Sequence, residues 1–363
     1  MALDRLFNVA RKEFSDHITS RRFIIILGLF LVISAIGMHS GIENYNTMLE
    51  SYSLQLQHMQ DLEGPYAGWM PEKPSIMLVF SSMMGYMTML GGILAIAIGF
   101  DLVSKEKETR SLKSLLSHPV YRDEIINGKA LGGVGALGFA MALALAIAVA
   151  MLLLFSIVPT AEEFAAILVF GAVTLGFLLA YFSIALTMST VAKESGNALI
   201  YTLVIFFAVS SLLPMFGMMA ANAFAGDPPE PPQMPRMPQE VVRTSSSGGY
   251  FTSVSQSVVY GGTEDPEWKA YEEEMKTYIE KRRLISDISS LLSPQSNYQT
   301  IAIAVTQPQI FSMMQSPYDT APEETTGLAG ALGKVWMNIA ALIVFPSAFF
   351  AATYVKFMRM DIR

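Results

Sequence analysis

Two long stretches of this chain carry no charge: Ser75–Phe100, 26 residues, and Ala130–Val158, 29 residues. A helix crosses a hydrocarbon core of about 30 Å with roughly 20 apolar residues. Six segments meet that requirement: 23–42, 75–100, 130–158, 164–192, 197–221 and 335–355. The second, at about 1.5 Å per residue, reaches roughly 39 Å and must tilt or protrude. The chain is 15% charged, against about 25% for soluble domains. The expected fold class is therefore an all-α polytopic membrane protein. It has six transmembrane helices, an N-terminal interfacial helix, and an external insert between spans five and six.

The polar segments give an orientation. With six crossings and the N-terminus inside, the cytoplasmic pieces are 1–22, 101–129, 193–196 and 356–363. They hold 15 of the 24 Lys and Arg and ten of the 31 acidic residues, a net charge of +5; the remainder nets −12. Basic residues near span ends set orientation. The expected location is the cell membrane, with N- and C-termini cytoplasmic. The domains follow: 1–22 a cytoplasmic interfacial helix; 23–221 spans one to five, with an external loop at 43–74; 222–334 an external domain; 335–363 the last span and tail. In the first segment Leu3, Leu6, Phe7, Ala10, Phe14 and Ile18 share one arc, with Arg5, Arg11, Lys12, Arg21 and Arg22 off it. That pattern predicts a helix lying on the cytoplasmic leaflet.

The stretch DLVSKEKETRSLKSLLSHPVYRDEIINGK, Asp101–Lys129, holds eleven charges. At the bilayer centre they would cost on the order of 30 kcal/mol, so it is expected to be a loop in water. Leu112, Leu115 and Leu116 share a helix face, solvated by Lys105, Glu106, Lys107, Glu108, Arg110 and Lys113, and Pro119 stops that helix. A small apolar stripe rimmed by charge suits docking to another protein.

Thirteen positions here, Glu106, Glu108, Leu112, Leu115, Leu116, Ser117, Pro119, Val120, Arg122, Glu124, Ile125, Gly128 and Lys129, resemble the loop between the second and third spans of ABC-2 type transporter permeases. The layout is similar to the branch that includes permeases of the NosY type. The resemblance implies that 101–129 carries a coupling helix seated on a separate ATPase subunit. The implied contacts are Glu106, Glu108, Leu112, Leu115, Leu116, Pro119 and Arg122. It implies ATP-driven export, with ATP and Mg on the partner and no cofactor in this chain, and pairing with a second permease copy or a sister chain. Arg110-Ser111 stands where the family often has Gly-Thr, which predicts a stiffer helix start. The phosphate-binding string G-x-x-x-x-G-K-[ST] is absent from the sequence, so ATP hydrolysis is assigned to the partner. Residues 191–197, VAKESGN, read equally as a second docking point or a tight polar turn.

No span carries a charge in its middle, which argues against ion-coupled transport. Gly85, Gly91, Gly92, Gly99, Gly132, Gly133, Gly135 and Gly138 permit close helix packing. Met83, Met84 and Met87, and Met215, Met218 and Met219, form thioether clusters suited to Cu(I), but gap-filling is the ordinary use of methionine. His39 and Glu43 read as a solvated helix end. Cysteine is absent, which excludes disulfides and thiolate sites. Outside, a proline-rich linker follows Gly226. Asp265, Pro266 and Glu267 then start a helix whose face is Trp268, Tyr271, Met275, Tyr278, Ile285, Ile288 and Leu292. That face packs on the protein itself, on a second copy or on an accessory protein. Ser293-Pro294 restarts a helix, and residues 294–316 read equally as a surface or an embedded segment; the resemblance favours the latter. The alternative class is a non-transporting assembly or sensory membrane protein that recruits a cytoplasmic partner through 101–129. Membrane lipid is an expected partner and nucleic acid is not. An intramembrane enzyme lacks its motifs here.

Overall fold

The computed structural model describes residues 2–60, 73–110, 121–232, 266–315 and 327–360. All its regular elements are helices. Six are long and apolar enough to cross a membrane: Arg21–His58, Leu78–Glu108, Arg122–Leu154, Ala161–Val191, Ser195–Ala225 and Trp336–Met358. The expected six-span, all-α class is therefore what the chain adopts. By contact the chain divides into two compact units, Met1–Phe216 with Ser289–Arg363, and Gly217–Ile288.

The first unit contains α1 (Ala2–Thr19) and α2 (Arg21–Gln60). At 40 residues α2 is about 60 Å long, twice a hydrocarbon core, so residues 43–60, expected in an external loop, continue the first-span helix. The second span is segmented into α3 (Leu78–Tyr86), a π-helical turn at Met87–Gly91, and α4 (Gly92–Gly99), followed by α5 (Ser104–Glu108). The third span, α6 (Arg122–Leu154), begins eight residues before its uncharged run. Arg122–Lys129 are thus helix rather than loop. Glu124 helps to start it, its Oε2 accepting from the Tyr121 N–H at 3.1 Å. The fourth span, α7 (Ala161–Val191), opens on a reciprocal cap: Thr160 Oγ1 accepts from the Glu163 N–H, and Glu163 Oε2 accepts from the Thr160 N–H. The fifth is α8 (Ser195–Phe207), a second π-helical turn at Ala208–Leu212, and α9 (Leu213–Ala225).

α10 (Pro266–Leu291) starts at the expected proline; its cap, Asp265, lies outside the described residues. Of its apolar face, Trp268, Tyr271, Met275, Tyr278 and Ile285 are half-buried, while Ile288 and Leu292 are exposed. α11 (Pro294–Thr306) is packed inside the bundle rather than on its surface. Tyr298, Ile301, Ala302 and Ala304 are fully buried, and the helix packs on the second, fourth and sixth spans. Ser293 caps it, accepting from the Ser296 N–H, and Asn297 accepts from the Asn338 amide at 2.9 Å. α12 (Pro308–Gln315), α13 (Leu328–Lys334) and the sixth span, α14 (Trp336–Met358), complete the chain.

The fourth span is the hub. Thr174 Oγ1 lies 3.3 Å from the Tyr298 hydroxyl of α11, Tyr181 reaches Ser210 of the fifth span, and Thr187 reaches Thr353 and the Phe349 carbonyl of the sixth. Each such bond in a membrane interior contributes about 0.6 kcal/mol on average. Small residues set the close approaches. A Cβ on Gly133 would lie 2.2 Å from the Phe182 ring, and one on Gly99 would lie 2.9 Å from Ala185 Cβ. Gly85 and Gly138, expected to pack likewise, have nothing within 4 Å of that position. Met83 and Met87 are fully buried in apolar packing.

Gly41 makes the tightest contact between the first two spans: a Cβ there would sit 2.2 Å from the Val79 carbonyl oxygen, which is backbone and cannot rotate away. Gly41→Leu is expected to cost about 2 kcal/mol or more and to lower the heat-aggregation midpoint in detergent. Gly28→Leu, with open space around it, is expected to leave that midpoint unchanged.

Candidate functional site

The polar segments converge at one end of the first unit, around the two ends of the 101–129 stretch. α1 does not present its whole apolar arc outward. Val9, Ala10, Glu13 and Phe14 pack on the glycines of α6: Cβ atoms on Gly128, Gly132 and Gly135 would meet Val9, Glu13 and Phe14 at 2.4, 2.6 and 3.1 Å. Phe7 remains 65% exposed. Helices this close shield the Lys129 ammonium from water, and it is paired. Lys129, with 3% of its side chain exposed, lies 2.9 Å from Glu13 Oε1 of α1 and 2.7 Å from Glu106 Oε1 of α5. One ammonium thus joins three elements. Arg5 pairs with the buried Glu124 at 3.3 Å and lies over the Tyr121 ring, 5.2 Å from its centre. Arg22, at the start of the first span, holds Asp101 at 2.6 Å.

α5 is fastened on its other side to the connection between the fourth and fifth spans. Ser189 Oγ accepts from the N–H groups of Val103 and Ser104 at 2.9 and 3.0 Å. Lys107 donates to the carbonyls of Thr190 and Ala192. Glu108 Oε2 accepts from the Ser195 backbone N–H and, at 3.0 Å, from its hydroxyl, so it caps the start of the fifth span. Residues 192–194 form a short polar connection between the two helices, and with Ser195 they receive α5. Arg122 donates to the Met360 carbonyl at 2.9 Å, tying the start of α6 to the C-terminal segment.

Of the seven expected partner contacts, Glu106, Glu108 and Arg122 are thus brought to this end, each bonded within the chain. Leu112, Leu115, Leu116 and Pro119 lie outside the described residues. The expected helix from Lys105 through Leu116 is not continuous. α5 ends at Glu108, and Arg110 adopts φ +59°, the left-handed conformation that favours glycine. The helix start expected at Arg110-Ser111 runs into residues outside the described ones; Arg110 itself stands in this left-handed conformation. Sequence reasoning missed Lys129, Glu13, Ser189 and Ser195. The available signal was a lone lysine beside Gly128 at the edge of a 29-residue uncharged run.

A cleft of about 310 Å³ opens among Glu13, Asp16, His17, Arg22, Asp101, Lys105, Glu106 and Lys129. His17 Nε2 is shielded there without a hydrogen-bond partner. Burial lowers its pKa below the free value; Lys129 adds to the effect and Glu13 opposes it.

A family model described as ABC-2 family transporter protein matches residues 7–362. The chain belongs to that family. It is therefore a multi-pass membrane protein and a permease component of an ABC transporter, and membership implies an ABC ATPase as partner. Among curated proteins, none matches the chain significantly. The ABC-2 match includes α1 from Phe7 onward and α11, so both belong to the permease itself.

Removing the ammonium takes away the cation that Glu13 and Glu106 both face. Lys129→Met is expected to cost about 3–5 kcal/mol and to reduce the yield of folded permease; Glu13→Gln added to it should restore part of that loss. His17 gives a pH dependence with a fixed sign. Its folded pKa is depressed, so the unfolded chain binds the proton more readily below about pH 6.5. The stability it contributes is full above that pH and is lost as pH falls toward the folded value. A thermal midpoint that drops on acidification below about 6.5, less steeply in His17→Gln, is the expected result.

Proposed function

We propose that this permease moves its cargo outward with energy from ATP hydrolysed on a separate subunit, which docks on residues 111–120. The observation that carries this reading is the anchoring of both flanks of that segment. Its leading flank is fastened to α1, α6 and the fourth and fifth spans through Glu106, Lys107 and Glu108. Its trailing flank is fastened to the C-terminal segment through Arg122. A force that reaches these two anchored flanks passes into the third, fourth, fifth and sixth spans through those contacts. Leu112, Leu115, Leu116 and Pro119 are the proposed contact surface, while Glu106, Glu108 and Arg122 position it. The excess of Lys and Arg at this end supports a cytoplasmic placement for it and for both termini. ATP and Mg belong to the docked subunit, and two permease chains enclose the path. The exposed apolar side of the fifth span, Ile200, Val204, Phe207 and Phe216, faces lipid or that second chain. Residues 222–288 form the external part, α11 being packed among the spans, and the layout fits the NosY-type branch.

Leu115→Asp tests the reading. Gentle purification of the wild-type chain from its native membrane is expected to bring a soluble ATPase near one copy per permease, and the variant, inserted normally, is expected to lose it. Equal recovery of the ATPase with both chains would refute the docking assignment.

A further inference from the structure

The second and fifth spans each contain a π-helical turn, Met87–Gly91 and Ala208–Leu212, within otherwise α-helical structure. Such turns hold one extra residue and concentrate at functional sites. The second lies against Tyr181, and the first ends one residue before a contact with the same ring. Tyr181 of the fourth span is fully buried, and its hydroxyl is 2.6 Å from Ser210 Oγ inside the second π-turn. Its ring meets Phe206, just before that turn, edge to face at 4.9 Å between centroids. Gly92, immediately after the first π-turn, approaches so closely that a Cβ there would lie 3.0 Å from the Tyr181 ring and 2.8 Å from the Phe206 ring. Gly91, inside that turn, lies against Phe177 and Leu178, the preceding turn of the fourth span. α11 touches both π-turns. The fourth span itself is unbroken from Ala161 to Val191.

The same two spans are joined a second time at the docking end. Glu108, closing α5, holds the backbone and hydroxyl of Ser195, the first residue of the fifth span. From Ser195 to the π-turn the helix runs 13 residues, about 20 Å. Residues 92–108 and 195–207 are therefore linked at the bottom by Glu108 and at the top by Tyr181, beside a straight fourth span whose end holds residues 103–107 through Ser189, Thr190 and Ala192, contacts that a swing of the pair must release.

We infer that Tyr181 is the pivot on which these two cytoplasmic segments swing as one lever when the ATPase pushes on the docking segment. The inference rests on the ATP-coupled reading above. An α-helix resists bending because tilting one half strains several i→i−4 bonds together. A π-turn concentrates the change, since its extra residue can pass to the neighbouring turn with few bonds remade. The Tyr181 hydroxyl holds Ser210 in the π register, and its release frees the fifth-span half to tilt. Gly92 lets the second span roll on the Tyr181 ring. Tyr181 is a positioning residue: it acts through the two spans and needs no contact with cargo.

Hydrogen–deuterium exchange of the full chain in lipid nanodiscs tests this. Tyr181→Phe keeps the ring and removes only the hydroxyl. Amide exchange over 87–91 and 208–212 is expected to rise about tenfold, the effect of losing one buried hydrogen bond, with α2 unchanged. Ser210→Ala should match it, and the double variant should add nothing. Unchanged exchange at both π-turns in Tyr181→Phe overturns the pivot. In the complex with the co-purified ATPase, ATP with vanadate is expected to change exchange at both π-turns of the wild type, and by less than twofold in Tyr181→Phe. A bound ATPase with no nucleotide-dependent change at either π-turn overturns the lever and leaves the docking assignment standing. Failure to recover any ATPase overturns both.

Discussion

The fourth span is where this bundle keeps its polar groups away from lipid. Thr174, Tyr181, Thr187 and Ser189 lie along one helix, and each is buried. Each finds a partner on a different neighbour: α11, the fifth span, the sixth span, and the start of α5. A hydroxyl left unpaired in such surroundings carries its full desolvation cost. The hydroxyls therefore fix which helices surround the fourth span and in what register. Aromatic packing reinforces the choice, with Tyr298 stacked on Phe177 at 4.6 Å and Phe170 edge-on to Phe80 at 5.4 Å.

At the docking end the same requirement appears with full charges. Lys129 is shielded by the close approach of α1 to the glycine face of α6, and that shielding obliges Glu13 and Glu106 to be present. Pairs of this kind specify geometry more than they add stability, because desolvation offsets much of the attraction. Here the geometry specified is the placement of α5 relative to α1 and α6. Together with Glu108 on Ser195 and Arg122 on the Met360 carbonyl, it leaves residues 111–120 as a short segment between two fixed points. On the ATP-coupled reading proposed above, fixed flanks are what would let a push on that segment reach the bundle.

Much of this was legible in the residues. The six spans follow from uncharged length alone, and the start of α10 at Pro266 follows from proline chemistry. The family followed from one dense window of matches, now extended to residues 7–362. The helices run beyond the apolar stretches for physical reasons. The first apolar run ends at residue 42, yet a helix needs only its own hydrogen bonds to continue, and α2 runs on to Gln60. The uncharged run begins at Ala130, but a paired lysine is no barrier to burial, and α6 begins at Arg122. The positive φ of Arg110 leaves no trace in the residue's identity.

What the sequence determined by itself is therefore the membrane class and the six apolar helices. Charge exclusion from lipid acts on each stretch of chain separately, so it can be read locally. What only the tertiary structure decided is the partnership of Lys129 with Glu13, 116 residues away, the burial of α11, and the approach of two π-helical spans to Tyr181. Nothing in residues 87–91 or 208–212 marks a π-turn by itself, and PQSNYQTIAIAVT is half polar. Their behaviour depends on which side chains face them across the bundle, and that is set by packing between segments far apart in the chain.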